Sequence, residues 1–212
     1  MKILLPHSER KKTGGTQADI NNAIYHTKNL LNKRLALEEA GLCHEGDGLM
    51  PAHMRYDGVI YRHLDFSTIN QAARERYLDG VLVIDPLLGI VAMPEVIPNH
   101  KLNFHTKYIV EQSSVNLKKY WQKSIVEELN SYEDFFIDIL PQEHGSLIRG
   151  HLFDHFLVKD LASSGNVKMQ GHNAKALKGE LVRFILESEM DTVKEIKKFL
   201  KSYNLELENI SL

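Results

Sequence analysis

Val81-Leu82-Val83-Ile84-Asp85 is the stretch of sequence that decides the fold. Its first four residues are apolar and three of them are β-branched, which is the composition of a strand buried inside a sheet. The polar segment before it, over residues 67–78, favours a helix that Ser67 would cap. Residues 88–91 predict a further strand. A helix that leads into a buried strand indicates an α/β protein.

The segments on either side extend this alternation of strands and helices. Short apolar runs predict strands over residues 2–6, 57–61 and 135–140. Apolar side chains at helical spacing predict helices over residues 18–40 and 115–132. Gly41 is the predicted stop of the first of these helices.

The C-terminal part of the chain predicts a hairpin rather than another alternating unit. Residues 151–159 and 166–170 have the pattern of two strands around Gly165. Helices are predicted over residues 174–189 and after Asp191 or Thr192, which are both N-cap residue types. We therefore expect an α/β (α+β) fold with a mixed sheet flanked by helices, in a single domain over residues 1–212.

Composition excludes several classes of protein. Of the 212 residues, 43% are hydrophobic, which is enough for a core and too much for a disordered chain. The formal net charge of −2 gives no overall attraction to nucleic acid or anionic lipid, so anion binding requires a local cluster of cations. The single cysteine, Cys43, favours a reducing compartment. No apolar stretch approaches the ~20 residues that span a bilayer, so we expect a cytoplasmic protein without membrane contact.

The clearest functional pattern is the run His172-Asn173-Ala174-Lys175-Ala176-Leu177-Lys178-Gly179-Glu180-Leu181-Val182-Arg183. Lys175, Lys178 and Arg183 fall along one side of the predicted helix, in its N-terminal half. Cations crowded at the positive end of a helix dipole are electrostatically unfavourable for the helix. A bound phosphate or carboxylate would compensate for them. The alternative is a solvated basic face that pairs with glutamates of the same helix.

A second basic segment follows the first predicted strand: Pro6-His7-Ser8-Glu9-Arg10-Lys11-Lys12-Thr13-Gly14-Gly15. A loop with glycine and basic residues is able to wrap a phosphate. The segment lacks the GxxxxGK[ST] order of a P-loop and the GxGxxG order of a dinucleotide site. An ordinary flexible turn is therefore the alternative interpretation.

Three other patterns are weaker. His151 and His155 would lie ~13 Å apart on a strand, which is too far for one metal ion. Cys43 lies near His44, but nearness in sequence does not establish a catalytic pair. The lysines around Trp121 resemble a platform for single-stranded nucleic acid, but Trp121 falls on the apolar face of its helix and is expected in the core.

The order of these motifs resembles that of the YaaA-type family of peroxide stress proteins. Residues 4–15 are similar to the family signature LLPPSExKxxGG, and residues 172–183 are similar to HxxKAxKGxLVR. Residues 57–61 resemble its DGVLY segment, and residues 81–102 resemble VLVVSALWGLVRPxDPIPxYRL. Leu117 and Trp121 match its LxxxW helix.

The resemblance implies an intracellular bacterial protein of the response to hydrogen peroxide, linked to limiting free iron, with a mixed α/β fold and a positively charged cleft. It implies binding to duplex DNA, partly through a helix-hairpin-helix element, and no particular reaction. We find no clear hairpin of that kind before residue 57. This chain departs from the family pattern where Leu88 stands for Trp, His100-Lys101 for Tyr-Arg and His144 for Tyr.

These observations lead to one expected site. We expect a cleft that holds phosphate, lined by Ser8, Lys11, Lys101, His172, Lys175, Lys178 and Arg183. Its partner would be duplex DNA or a small anionic ligand, without a cofactor or metal. The alternative function is an enzyme acting on a nucleotide or another small phosphorylated or carboxylated substrate, with Ser8, Glu9 or His172 as acid, base or nucleophile.

Overall fold

The computed structural model describes residues 1–16, 28–42, 48–110, 113–160 and 172–212. Its strands are β1 Lys2–Pro6, β2 Met50–Pro51, β3 Val81–Asp85, β4 Gly89–Ala92, β5 Val96–Ile97, β6 Lys107–Val110, β7 Ser113–Asn116, β8 Phe136–Asp138, β9 His155–Asp160 and β10 Leu205–Asn209. Its α-helices are α1 Leu31–Glu39, α2 Ala52–Arg55, α3 Val59–Leu64, α4 Gln71–Gly80, α5 Leu117–Leu129, α6 Gln142–Gly145, α7 His172–Glu187 and α8 Val193–Ser202.

The main sheet has six strands in the order β10-β9-β8-β1-β3-β4, and it is mixed as the sequence predicts. The four inner strands β9, β8, β1 and β3 are parallel, whereas the edge strands β4 and β10 run antiparallel to their neighbours. Leu4 of β1 lies opposite Leu82 on one side and Asp138 on the other. The carboxyl ends of β1, β3 and β8 therefore meet at one edge of the sheet.

The core confirms the burial expected for the strand from Val81 to Asp85, all of which is buried. Trp121 of α5 is fully buried, as the sequence predicts, and its indole N–H donates to the carbonyl of Pro86 at 2.8 Å. Gly89 has φ +77, and a Cβ atom there would lie 2.8 Å from the Trp121 ring. The turn between β3 and β4 thus needs a glycine for two independent reasons.

Two predicted helix ends are confirmed by their hydrogen bonds. After α1, the N–H groups of Gly41 and Leu42 donate to the carbonyls of Glu38 and Leu37, which is the Schellman pattern. Thr192 caps α8 in a capping box with Glu195.

The cap predicted for α4 is wrong by three residues. Asn70 caps this helix by accepting from the N–H of Ala73, while the Ser67 hydroxyl donates to Asp65. Asp65, with φ 48, ends α3 in the left-handed region, so the chain needs residues 65–69 for the turn between the two helices.

The strand predicted over residues 57–61 is also wrong, because this segment enters helix α3 at Val59. The Tyr61 hydroxyl donates to the Pro6 carbonyl at 2.7 Å, which ties α3 to the end of β1. Helix α7 passes so close that a Cβ atom on Gly179 would lie 2.3 Å from the Ile60 carbonyl oxygen. Packing against β1 and α7 therefore overrides the β-propensity of Val59, Ile60 and Tyr61.

The late hairpin is confirmed only in its first strand, β9, because residues 161–171 lie outside the described residues. The described antiparallel partner of β9 is β10, a C-terminal strand that the sequence pattern did not predict. The hairpin β6–β7 was also missed, and α5 begins at Leu117 after it. Of the helix predicted over residues 18–40, the described part is a 3-10 turn Lys28–Leu30 followed by α1. None of the helices in the described ranges is long and apolar enough to cross a membrane.

Candidate functional site at the carboxyl edge of the sheet

Three ionisable side chains lie where parallel strands end. His7 directly follows β1, Asp85 is the last residue of β3, and Asp138 is the last residue of β8. Because β1 pairs with both other strands, these ends are neighbours. Open α/β sheets commonly bind ligands in the crevice outside the carboxyl ends of their strands. This edge is therefore the candidate site.

Asp85 is a fully buried carboxylate, and both of its oxygens accept hydrogen bonds. Its Oδ2 accepts from the Tyr56 hydroxyl at 2.9 Å and lies 3.1 Å from His100 Nε2. Its Oδ1 accepts from two backbone N–H groups of the following turn. Burial alone would raise the pKa of this carboxyl, but the His100 imidazole and the Lys11 ammonium hold it well below its usual range. Asp85 is thus ionised and anchors the residues around it.

The tautomer of His100 follows from its two contacts. Its Nδ1 accepts from the Leu102 N–H at 3.3 Å, so Nε2 carries the hydrogen that it donates to Asp85. The His100 ring in turn stacks against the ring of His7, with 6.3 Å between ring centroids.

His7 and His144 form a hydrogen-bonded pair of imidazoles, which we call the histidine pair. His7 Nδ1 lies 2.7 Å from His144 Nε2, and the Phe104 ring meets both imidazoles edge to face. Burial lowers the pKa of His7 to about 3 and the pKa of His144 to about 4, although Asp85 opposes both shifts. Both rings are therefore neutral at pH 7. The outer nitrogens, His7 Nε2 and His144 Nδ1, are buried and have no hydrogen-bond partner within the described ranges.

Asp138 at the end of β8 resembles Asp85 in being satisfied. Arg149 donates from Nε to its Oδ2 at 2.8 Å, and the Leu140 N–H donates to its Oδ1 at 2.8 Å. His155 Nε2 lies 3.2 Å from Oδ2. Burial would raise the pKa of Asp138, but the contacts with His155 and Arg149 lower it. This cluster fixes the chain that leads from β8 into α6.

One of the predicted cations, Lys178, reaches the chain just beyond β8, and Lys175 lies about one turn before it on α7. Lys178 Nζ donates to the Ile139 carbonyl, just beyond β8, at 2.9 Å. Burial lowers the pKa of Lys178, and the positive charges of Lys175 and Lys178 in turn lower the pKa of His144. Lys175 is exposed and Lys178 is half-buried. The N-terminal half of α7 therefore approaches the chain just beyond β8, at the edge that also holds His144.

Ser8 and Lys11 of the basic loop are buried and hold the loop itself. Lys11 Nζ donates to the carbonyls of Ser8 and His100, at 2.7 Å and 2.9 Å, and it lies over the ring of Tyr56. The Ser8 hydroxyl donates to the Arg10 carbonyl at 2.7 Å. Lys11 thus ties the loop after β1 to the segment after β5, which is a structural use of its charge.

The remaining predicted residues lie in different surroundings. Arg183 donates to the Thr68 hydroxyl at 2.6 Å and pairs with Glu187, so it anchors α7 to the turn before α4. It also follows Lys175 by eight residues, roughly 12 Å along a helix. Lys101 is exposed next to His100. His172 begins α7, but its side chain is not among the features described.

Sequence reasoning missed the residues that form the centre of this edge: His7, Asp85, His100 and His144. Three of these residues had a signal in the sequence. His7 and Asp85 each stand at the end of an apolar strand, and His144 replaces an aromatic residue of the family pattern. What the sequence did not contain was the strand order that brings these ends together.

The weaker predictions have mixed outcomes. His155 begins β9 and is buried against Asp138, whereas His151 lies before the strand and is exposed. No group of three or more metal-binding side chains is found where the structure is described. Lys119 and Lys123 are exposed beside the buried Trp121, as expected for a solvated face. Cys43 lies outside the described residues.

Comparison with known proteins identifies the family. The model of the peroxide stress protein YaaA family matches residues 10–209. A UPF0246 protein of Corynebacterium glutamicum is 30% identical over 90% of this chain and 87% of its own length. UPF0246 proteins of Ligilactobacillus salivarius and Francisella philomiragia are each 27% identical over 72% and 74% of this chain. The chain spans 63% and 65% of the lengths of these last two relatives, less than two thirds of either. The chain belongs to the YaaA family of peroxide stress proteins.

Proposed function

We propose that this peroxide stress protein acts in the cytoplasm by binding a phosphate-bearing ligand at the carboxyl edge of its sheet. One observation carries the proposal: Lys178 reaches the end of β8, at the edge where two neutral imidazoles lie, and Lys175 precedes it by about one turn of α7. Burial lowers the pKa of Lys178, which means that its charge is poorly solvated. A bound anion would restore the lost solvation.

The position on α7 supports an anion for a second reason. Lys175 and Lys178 occupy the first two turns of a 16-residue helix, where backbone N–H groups and the helix dipole favour negative charge. Lys101, exposed beyond β5, is the third cation that we assign to this surface. Lys11 and Arg183 support the surface through their structural contacts rather than by touching the ligand.

The ligand in the first form of the proposal is duplex DNA, held through its phosphates without base-specific contacts. A titration of labelled duplex at low and high salt tests this form, with Lys175→Ala beside Lys194→Ala, which removes an exposed charge from α8. Binding should weaken steeply with salt, because released counterions drive it, and only Lys175→Ala should weaken it by roughly tenfold. Absence of binding at low salt, or equal behaviour of the two variants, would contradict this form.

The second form is an enzyme that acts on a nucleotide or another small phosphorylated or carboxylated substrate. The observation that favours it is the histidine pair, because neutral imidazoles with unpartnered nitrogens are suited to proton transfer. Among the residues expected for acid or base roles, the Ser8 hydroxyl is already committed to the Arg10 carbonyl and Glu9 is exposed. In this form, Lys175→Ala should abolish a saturable small-molecule site and leave the fold intact.

A further inference from the structure

The positions of the N–H hydrogens in the histidine pair determine whether each outer nitrogen donates or accepts a hydrogen bond. Two neutral imidazoles carry two N–H hydrogens, and one of these lies in the bond between His7 Nδ1 and His144 Nε2. The other hydrogen is on one of the two outer nitrogens. If His7 donates within the pair, His144 Nδ1 carries the second hydrogen and His7 Nε2 is bare. If His144 donates, the outer nitrogens exchange roles.

Neither outer nitrogen is satisfied by the protein that is described. His7 Nε2 and His144 Nδ1 have almost no contact with solvent and no hydrogen-bond partner within the described residues. Buried polar atoms without partners are rare in native proteins, because each loses its hydrogen bonds to water and gains none. A ligand that enters the edge would supply the missing partner.

The two ends of the pair differ in their surroundings. Lys175 and Lys178 act on His144, whereas Lys11 and His100 act on His7. Lys178 also bonds to Ile139, two residues before the proline that precedes α6. His144 is therefore the member of the pair that senses the cations of α7, where the proposed function places an anion.

Burial limits the size of the group that reaches this nitrogen. His144 is only 5% exposed. The phosphodiester of a duplex is flanked by sugars on both sides and stays at the protein surface, whereas a terminal phosphate or carboxylate projects from its molecule. The recessed position of His144 favours the second kind of group.

We propose that the ligand is a small molecule with a terminal phosphate or similar oxyanion, and that one of its oxygens accepts a hydrogen bond from His144 Nδ1. This inference rests on the proposed anion-binding function and adds the ligand class and the contact. This contact requires that His7 donates to His144 Nε2, because that arrangement leaves the hydrogen of His144 on Nδ1. His7 is thus a positioning residue, and His144 touches the ligand.

The inference predicts that the affinity for the anion depends on pH. The charged and titratable groups around the pair are Asp85 from β3, Lys11 and His100 beside His7, and Lys175 and Lys178 from α7. A bound anion adds negative charge beside His144 and raises its pKa from the low value of the free protein. The bound state therefore takes up a proton as the pH falls, and affinity should increase from about pH 8 to about pH 5.

Sulfate is the probe for the test, because its charge does not change over this range of pH. Calorimetric titration of sulfate at about pH 5 and about pH 8 is combined with nitrogen-15 NMR of the histidine rings in the wild-type protein. The variants are Lys175→Ala, His144→Asn and the control His151→Asn, which changes an exposed histidine near the amino ends of β8 and β9. In a separate titration, a DNA duplex without terminal phosphates replaces sulfate.

We expect sulfate to bind roughly tenfold more tightly at about pH 5 than at about pH 8, which corresponds to a His144 pKa of about 6 in the bound state against about 4 in the free protein. Wild-type and His151→Asn should behave alike, His144→Asn should lose the pH dependence, and the Nδ1 signal of His144 should change on binding. The NMR measurement needs no variant, so it decides the question even if His144→Asn does not fold.

Two different failures are distinguishable. Sulfate binding that requires Lys175 but leaves the His144 signal and the pH profile unchanged would overturn this inference and leave the anion site standing. No binding of sulfate at either pH would overturn the anion site as well. If the duplex produced the same change at His144, the recessed position of this ring would not exclude a phosphodiester.

Discussion

Asp85 and the histidine pair lie at neighbouring strand ends, yet their hydrogen bonding is opposite. The two oxygens of Asp85 receive hydrogen bonds from a tyrosine, a histidine and two backbone groups. The histidine pair satisfies its inner nitrogens only and keeps two outer nitrogens buried without a described partner. The difference indicates that Asp85 holds the edge together, whereas the pair keeps two nitrogens that the proposed ligand would satisfy.

Replacing Asp85 by alanine should have the largest effect on stability. The change leaves the Tyr56 hydroxyl, the His100 N–H and two backbone N–H groups buried without their acceptor. We expect the free energy of unfolding to fall by about 3–5 kcal/mol, measured by urea denaturation at neutral pH. Asp85→Asn keeps one acceptor oxygen and should cost less. If both variants remained within ~1 kcal/mol of the wild type, Asp85 would not be the anchor of this edge.

Lowering the pH distinguishes the contribution of the histidine pair to stability from that of Asp85 without a mutation. The histidine pKa values of about 3 and about 4 lie below the unfolded value, so the unfolded state binds more protons and stability falls as the pH drops below about 6.5. Between about pH 7 and about pH 5 the pair should remove about 2–4 kcal/mol from the free energy of unfolding. The pKa of Asp85 is lowered, so its contribution is present above about pH 4 and is lost only in stronger acid.

The control for this titration is the variant Asp85→Asn, which should retain the loss between about pH 7 and about pH 5, because both histidines remain and the charge of Asp85, which raises their pKa values, is gone. A flat stability profile over that range in the wild-type protein would mean that the two rings take up protons in the folded state as readily as in the unfolded chain.

Replacing both members of the pair by leucine should have the smallest effect on stability. His7→Leu/His144→Leu removes two unsatisfied nitrogens together with the one hydrogen bond they share. When both partners of a buried hydrogen bond become apolar, the net change is small, so unfolding at neutral pH should stay within ~1 kcal/mol of the wild type. The same variant should lose anion binding and the pH dependence just described. A large destabilisation would show that the pair is structural, like Asp85.

Several elements were predictable because their causes are local. The strands β1 and β3 follow from short runs of buried apolar residues, and the core position of Trp121 follows from helical spacing. The capping box of Thr192 with Glu195 and the glycine stop after α1 depend only on residues within one turn. Such features are recorded in consecutive residues and can be recognised from them.

The failures arose where contacts distant in sequence decide the conformation. The residues of α3 have the composition of a strand, but α7 and the end of β1 hold them as a helix. The edge strand β10 alternates leucine with glutamate and pairs with β9 across a long stretch of chain. In both cases the neighbour, rather than the intrinsic propensity, supplies the stabilising contacts.

The sequence alone determined that this is a mixed α/β protein of the YaaA family with basic residues concentrated in two segments. Only the tertiary structure decided which of those residues reach the same place. Lys178 reaches the edge, whereas Lys11 is used inside its loop and Arg183 at the turn before α4. The histidine pair joins residues 137 positions apart, because the parallel order of β1 and β8 brings their carboxyl ends together. A pattern of nearby residues cannot encode such a meeting, since it depends on how strands are ordered across the whole sheet.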